Sequence, residues 1–554
     1  MPETASRKRS AIIAAFFVLL TLIGLLVTPN YGMPWDELME IRTLGTNLRE
    51  YAGVFTDEAG EPQKSATGIE FTDVLENPDI DHGQSVYYPL TPVLFTDLGE
   101  EAPRTLMLIF HAYTFLIFML GVVGLYFLGS RLLGDWKYGI VASLFLYLSP
   151  RFFAEGHYNS KDIISMSMII LCLWFFYQFL QTRKYRHAIL FALAGAFAAN
   201  MRISGLLFFG LAGVCYLISV TVRKEWSVKK ALLPGLVAVV AFVVFYTLLT
   251  PVMWHAPIDF ISYVFKRSSN YSDWNGVVFY MGKSHQPVPW HYVPVLFALT
   301  TPIFTVLMTI IGNIAAFATL KGKKIKEIFG APQLIPLMSF VCIWVFIGYA
   351  MIRRPVLYDS WRHFYFLNGL LMLLATLGVK WIIDLLRGKA KKIAAGVVAA
   401  AIAASGLVIV INHPNELVYY NVLAGSDPAK SYEMDYWNVM QVKALMELID
   451  KTDSDEVITV TAAEWMSMDG LRKAYDILPA AYKTRMKVTS AQYGQMDRNA
   501  DYLMISLRAY QVTRDELGRQ WVPDAGLSNY MATCEKTVAL NAFGSEYMLI
   551  YKLP

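Results

Sequence analysis

Charge is scarce in this chain. Asp, Glu, Lys and Arg make up only 17% of its 554 residues, against about a quarter in a soluble domain. With 55% hydrophobic residues, that scarcity points away from a soluble enzyme and toward a membrane protein. Cysteine is sparser still. Cys172, Cys215, Cys342 and Cys534 are scattered, with no CxxC pair and no metal-ligand spacing, and read as small buried hydrophobes. No basic stretch is interleaved with aromatics on a soluble segment, which excludes nucleic acid as a partner. No internal repeat or low-complexity tract is visible, which weighs against a repeat-built transporter.

Long apolar runs are what the chain has instead. Runs able to cross roughly 30 Å of hydrocarbon lie near 11–29, 105–129, 139–153, 163–181, 188–201, 204–221, 231–250, 291–316, 332–351, 364–385 and 393–412, eleven in all, the third and fifth being short. The first follows Arg7, Lys8 and Arg9 as a signal peptide would. No small-residue cleavage site comes after it, so it reads as a retained helix. Six short connections are basic: Arg7 to Arg9, Arg131 to Lys137, Arg183 to His187, Arg223 to Lys230, Lys321 to Lys326 and Arg387 to Lys392. All fall on one parity. By the positive-inside rule they are cytoplasmic, giving an N-in, C-out protein.

The outer side then carries the bulk. Residues 30–104 form a first loop with fifteen acidic residues against Arg42, Arg49, Lys64 and Arg104, and residues 251–290 form a second loop rich in Trp, Tyr and His. After about 413 the composition becomes that of a soluble domain. There Gln441 to Ile449 reads as an amphipathic helix, and Glu456 to Thr461, Asp501 to Ser506 and Glu546 to Leu553 read as strands. The expected organisation is a transmembrane domain over 1–412 and a small extracytoplasmic α/β domain over 413–554.

Six cations break the topology rule by falling at outer helix ends: Arg151, Lys161, Arg202, Arg353, Arg354 and Arg362. Each ionisable group near hydrocarbon costs about 2.5–3.5 kcal/mol on insertion scales. They either snorkel and pair with the acidic loop or bind an anion at the membrane boundary. A lipid phosphate suits the latter, because Arg presents a planar fork of donors. Acids stand opposite at two junctions. Pro34-Trp35-Asp36-Glu37 opens the first loop; Pro34 suits a helix start, and Asp36 and Glu40 share a face at i, i+4. Asp162 closes the segment Pro150-Arg151-Phe152-Phe153 to Asn159-Ser160-Lys161-Asp162. Helix-start carboxylates stabilised by the dipole are the alternative reading of these acids.

At these residues the chain resembles the GT-C fold glycosyltransferases that use lipid carriers, the group of protein O-mannosyltransferases and lipid A aminoarabinose transferases (glycosyltransferase family 39-like). The marks run through nearly the whole sequence. They are Trp35-Asp36-Glu37, the Pro150 to Asp162 segment, Pro289-Trp290-His291-Tyr292-Val293-Pro294, Tyr358-Asp359-Ser360-Trp361-Arg362-His363-Phe364, and His413-Pro414-Asn415-Glu416 to Gly425. The resemblance implies a GT-C membrane domain of about eleven transmembrane helices. It implies Asp36, of the Asp36-Glu37 pair, as catalytic base, Asp162 as a second acidic site, and lipid-phosphate contacts from Arg362 and His363. Arg202, Arg151, Lys161, Asn159, His157 and Tyr88 are further candidates for binding substrate. One departure is clear: the aminoarabinose transferases carry a Lys-Pro-Pro element in the first loop, where this chain has Tyr87-Tyr88-Pro89-Leu90-Thr91-Pro92.

The implied activity is inverting transfer of a sugar from a polyprenyl-phosphate carrier to an acceptor hydroxyl, outside the plasma (inner) membrane. A carboxylate takes the acceptor's proton, an effect worth about 10²–10⁴ in rate. The phosphate leaving group needs cations more than a general acid, so one carboxylate and an Arg cluster suffice. The acceptor is a protein, glycolipid or polysaccharide. No metal set is encoded, since His285 and His291 lack further ligands, although some relatives of this fold use a divalent cation. Asp162 is open to a second role, as orienter of Asp36, acceptor holder or helix cap. The aromatics Trp254, His255, Trp274, Tyr280 and Trp290 are either a sugar platform or a membrane belt. The rival readings are a transporter or flippase of a lipid-linked solute, which should place ionisable groups near mid-membrane, and a sensor whose outer tail binds ligand.

Overall fold

A computed structural model describes residues 3–55, 65, 67–269, 276–452, 457–463, 465–491, 496–506 and 529–554. Lys64, Trp274 and Glu456, which figured in the sequence reading, lie outside these residues. Eight described helices are long and apolar enough to cross a membrane: Arg7–Asn30, Ala102–Leu133, Asp162–Thr182, Ile203–Arg223, Val228–Leu249, Ala331–Arg353, Arg362–Leu385 and Gly388–Asn412. The fold class expected from the sequence holds. This is a multi-span helical membrane protein with a small sheet-bearing C-terminal region.

Three of the eleven expected spans differ from the reading, and proline explains two of them. The run at 139–153 is divided into helices Trp136–Tyr147 and Pro150–Tyr158, because the residue before a proline avoids helical backbone and Pro150 starts a helix well. Ser149 is extended there, with φ −75° and ψ 112°. The run at 291–316 is broken into Tyr292–Thr300 and Ile303–Ala318 by Pro302, which has no N–H to donate. The third, Tyr185–Met201, is continuous but only 17 residues long, roughly 25 Å at 1.5 Å per residue. Turn chemistry sets the neighbouring boundary. Gly134 ends Ala102–Leu133 at φ 80°, and the Asp135 side chain accepts from Lys137 N at 3.0 Å to start the next helix.

Glycine brings two helices into backbone contact. A Cβ on Gly312 would lie 1.8 Å from Leu374 O, and one on Gly378 would lie 2.4 Å from Met308 O. Ile303–Ala318 and Asn368–Leu385 therefore pack main chain to main chain, the arrangement small residues permit between membrane helices.

The C-terminal region is a five-stranded mixed sheet. Strands β1 (Val278–Tyr280) and β2 (Lys283–His285) form a hairpin in the loop before Tyr292. The sheet itself uses β3 (Ile458–Ala462), β4 (Met486–Val488), β5 (Tyr502–Ser506), β6 (Glu535–Ala542) and β7 (Ser545–Lys552) in the order β4-β3-β5-β7-β6. β3 pairs parallel to β4 and β5, and β7 pairs antiparallel to β5 and β6. The β6–β7 turn places Phe543 and Gly544 at φ 53° and 83°, the positive-φ pair a two-residue hairpin demands. The helix Gln441–Asp450 and three of these strands match the sequence reading closely. β4 and β6 were missed, because β4 spans three residues and β6 alternates only in part.

This region docks on one end of the helical bundle. Arg104 Nη1 donates to Ile477 O at 3.0 Å, Glu101 Oε1 accepts from Ala480 N at 2.8 Å, and Trp35 Nε1 donates to Tyr436 O at 2.9 Å. Lys473 Nζ lies 5.1 Å from the centre of the Trp35 ring. The same end carries the candidate site.

A Gly312→Ala substitution should force the two helices apart and cost about 1–3 kcal/mol, the usual range for overpacking. Unfolding of the detergent-solubilised protein measures this. Unchanged stability would mean that the two backbones do not meet at Gly312.

Candidate active site

The site is built where helices begin and end. Asp162 and Arg362 are the first residues of two candidate spans, and Arg202 sits between the helices Tyr185–Met201 and Ile203–Arg223. Each of these four helices has a basic residue at its far end: Arg183, Lys184, Arg223 and Arg387. The charged groups collected here occupy one boundary of the apolar bundle.

Lys161 is the hub. Its ammonium is buried and lies 3.1 Å from Asp36 Oδ2 and 3.0 Å from Glu40 Oε1. Pro34 precedes the helix Glu37–Phe55, whose first turn brings Asp36 and Glu40 to the same cation, as their i, i+4 spacing anticipated. Beside them Arg202 Nε meets Asp162 Oδ1 at 2.6 Å. Asn159 holds Asp162 twice, once at its backbone and once at its carboxylate. Its Oδ1 accepts from Asp162 N at 2.9 Å and its Nδ2 donates to Asp162 Oδ2 at 3.3 Å. The Asp162 side chain thus faces Arg202 rather than capping its own helix.

Arg362 is held in a different way. Its guanidinium lies 4.7, 5.2 and 4.4 Å from the ring centres of Tyr358, Tyr436 and Trp437, and the Asp359 carboxylate stands 3.6 Å from Nε. Nη1 is buried without a hydrogen-bond partner. Arg362 acts electrostatically on both Asp36 and Asp162. His363 is edge-on to Tyr358 at 4.7 Å, and its Nδ1 also lacks a partner.

The two carboxylates on Lys161 behave differently. Burial raises the Asp36 carboxyl, but Lys161 and Arg362 overcome it and lower the group to about 2. Burial lifts Glu40 to about 7, because the pull of Lys161 is opposed by the charge on Asp36. For Lys161 itself, burial opposes its charge and the two acids more than restore it. Taken from the cation, the pairing is favourable; taken from Glu40, it is not. One ammonium shared by two acids resolves the conflict, and the more exposed acid, Asp36, takes the benefit.

Two cavities flank this cluster. One, enclosing about 420 Å³ and open to solvent, is lined by Arg151, Glu155, Tyr158, Asp359, Ser360 and Trp437 among others. The second, about 280 Å³, is lined by Glu37, Glu40, Gln84, His111 and Ser160 among others. Glu40 lines the second, whereas Asp36, Asp162 and Arg362 line neither.

Several candidates fall elsewhere. Glu37 is buried in a 2.8 Å pair with His111 and faces the smaller cavity. His157 is a core residue, with ring centres 4.4 Å from Phe115 and 4.7 Å from Tyr31; its place on an inward helix face corrects its reading as a substrate contact. Tyr88 is spent on Leu249 O at 2.9 Å and lies at neither cavity. Arg353 and Arg354 are exposed at a helix end, as snorkelling cations would be. Tyr436, Trp437 and His111 were missed, and a Tyr-Trp pair just past the last span was the signal for the first two. Among the described residues, Asp79, Asp81 and His82 bring three ligand atoms within 4.8 Å of one another. Arg267 already pairs with both carboxylates, at 3.3 and 2.9 Å.

Residues 94–250 match the family model described as dolichyl-phosphate-mannose-protein mannosyltransferase. The match spans Arg151, Asn159, Lys161, Asp162 and Arg202, and agrees with the resemblance read from the sequence. Among solved structures, ArnT from Cupriavidus metallidurans bound to undecaprenyl phosphate is similar at 12% identity and a TM-score of 0.45, covering 97% of both chains. Arabinofuranosyltransferase AftD from Mycobacteria is similar at 15% identity and 0.42, over 97% of this chain and 41% of that one. The oligosaccharyltransferase AglB from Archaeoglobus fulgidus, in complex with an inhibitory peptide and a dolichol-phosphate, is similar at 11% and 0.38, over 96% and 74%. At such identities none of the three passes on residue roles. No curated protein matches the chain.

The Glu40 carboxyl, lifted from an ordinary 4.5 to about 7, holds its proton more tightly in the folded chain than in the unfolded one. Its contribution is therefore intact below about 4.5 and is lost as pH rises through about 7. Glu40→Gln cannot ionise and should escape that loss. Thermal melts from pH 4.5 to 7 should show the stability difference moving in the variant's favour; a pH-independent difference would refute the lifted carboxyl.

Proposed function

We propose that this protein transfers a sugar from a polyprenyl-phosphate carrier to an acceptor hydroxyl, with inversion, on the extracytoplasmic side of the plasma membrane. The observation that carries the reading is Arg362. It is a buried guanidinium clamped by three rings, with Nη1 unspent, electrostatically coupled to the carboxylates of Asp36 and Asp162. A cation held by aromatic faces keeps its in-plane donors for an anion, and a carrier phosphate at a bundle boundary is such an anion. ArnT, in the structure compared above, holds undecaprenyl phosphate, and the matched family is described by a dolichyl-phosphate donor.

In the proposed reaction the acceptor oxygen attacks the anomeric carbon and the bond from that carbon to the phosphate oxygen breaks. Asp36, whose side chain is 37% exposed, receives the acceptor's proton. The electron pair of the broken bond stays on the phosphate, where Arg362, with Lys161 and Arg202 nearby, stabilises it. Asp162, fixed by Arg202 and Asn159, positions this set. The leaving group is already acidic, so no second carboxylic acid is required. The sequence of the six basic connections supports the orientation.

Replacing Asp36 by Asn should reduce release of polyprenyl phosphate from a polyprenyl-phosphate sugar by about 10²–10⁴, with expression preserved. Near-normal release would remove Asp36 from the base's role. Absence of release by the wild-type protein across a panel of carrier-linked sugars would sink the reading itself.

A further inference from the structure

We infer that two basic connections, at the end of the bundle away from the charged site, form one docking surface for anionic phospholipid headgroups. They are residues 224–230 and 321–330. The first follows Arg223, which closes the helix Ile203–Arg223 that begins beside Arg202. That helix is 21 residues long, so roughly 30 Å separates this surface from the Asp162–Arg202 pair. The surface owes nothing to the glycosyl-transfer reading and is tested without it.

The two connections are fastened together. Ser219 Oγ donates to Phe329 O at 2.7 Å, and Arg223 Nη1 donates to Lys326 O at 3.5 Å. Gly330 makes room for that guanidinium, since a Cβ there would lie 2.9 Å from Nη1. Lys224, Lys229 and Lys230 are exposed on one connection, and Lys321, Lys323, Lys324 and Lys326 on the other. Only two acids stand among them. Glu225 is taken by Arg183 and Arg223 at 3.3 and 2.7 Å, and Glu327 Oε2 accepts from Lys324 N at 3.2 Å. Among the described residues, none of the seven lysines pairs with a carboxylate. The positive-inside rule accounts for each connection being basic. It does not ask that two of them be hydrogen-bonded to each other, which sets like charges side by side at a cost in repulsion. An anion from outside the chain offsets that cost.

Exposed apolar side chains say which anion. Trp226, Val228 and Ile325 are 51, 68 and 63% exposed and are interspersed with the lysines. Trp226 stands between spans that end at Arg223 and begin at Val228, and Ile325 stands shortly before the span that begins at Ala331. These positions lie at headgroup depth, where an indole is favoured and apolar side chains are covered by lipid rather than water. A soluble polyanion would satisfy the lysines and leave the apolar groups bare. The type of cation agrees. Lysine is a compact charge on a flexible stem and follows mobile headgroup phosphates, whereas the ring-clamped Arg362 presents a fixed fork of donors.

Native mass spectrometry of the full-length protein released from mixed micelles tests this, with phosphatidylglycerol as the probe and phosphatidylcholine and poly(U) as comparators. Phosphatidylglycerol should bind several-fold more tightly than phosphatidylcholine and should be released by raised salt. Joint replacement by Lys323→Gln, Lys324→Gln and Lys326→Gln should weaken that binding several-fold. Lys229→Gln with Lys230→Gln, on the other connection, should do the same. Lys389→Gln, Lys391→Gln and Lys392→Gln together remove charge from a different basic connection and should leave the binding unchanged. If a multiple variant fails to fold, the single changes Lys326→Gln and Lys229→Gln take its place and are judged by the same outcomes. Equal affinity for the two lipids, an equal loss at the Lys389 to Lys392 connection, a loss confined to one of the two proposed connections, or preference for poly(U) would overturn the surface.

Discussion

A buried ammonium between two carboxylates holds this end of the molecule together. Lys161 lies in the short turn between the helices Pro150–Tyr158 and Asp162–Thr182, while Asp36 and Glu40 belong to the segment that follows the first span. An unpaired charge at that depth would be costly by several kcal/mol, so the turn and the first loop must stay in register. The Asp162–Arg202 pair does the same for the next two helices. Residues proposed to handle the substrate are thus also the joints that fix three separate stretches of chain at one level. Fold and site depend on the same contacts.

Lys161, Arg202 and Arg362 each stand against a carboxylate, and Glu155, Asp359, Glu433 and Asp435 border the larger cavity. Arg362 is the hinge of this arrangement because its principal partners are rings. A guanidinium tied bidentately to a carboxylate would have spent its donors and its charge together. Stacking on Tyr358, Tyr436 and Trp437 fixes its position and leaves Nη1 available. Two of those rings come from the C-terminal region, which gives that region a part in shaping the site whatever else it does.

Hydropathy and the i, i+4 spacing of Asp36 and Glu40 made the helical bundle and one half of the charged cluster legible in sequence. Both are local signals. The other half was not legible as a contact, because Lys161 lies 125 positions from Asp36 and no periodicity links them; only its unusual place at a helix end marked it out. His157 was misread because an interfacial histidine and a core histidine stacked on Phe115 look alike in sequence. Pro150 and Pro302 were in plain view, yet hydropathy alone runs through them, so two short or broken helices were counted as spans. Tyr436 and Trp437 belong to no regular element, and nothing in their neighbourhood announces that they close over an arginine from a distant span.

The unequal sharing of Lys161 has a consequence for the proposed chemistry. In the resting site Lys161 and Arg362 hold the Asp36 carboxyl at about 2, which makes it a weak proton acceptor by ordinary Brønsted behaviour. A carrier phosphate bound at Arg362 would bring negative charge to the same two cations and compete for their attraction. Asp36 would then bind a proton more readily, by the reasoning that already separates it from Glu40: where two anions share one cation, each raises the proton affinity of the other. Arrival of the donor would in this way increase the basicity of the group that must deprotonate the acceptor. The base would be strongest when the sugar to be transferred is in place, and the partly exposed position of Asp36 leaves room for an acceptor hydroxyl to reach it.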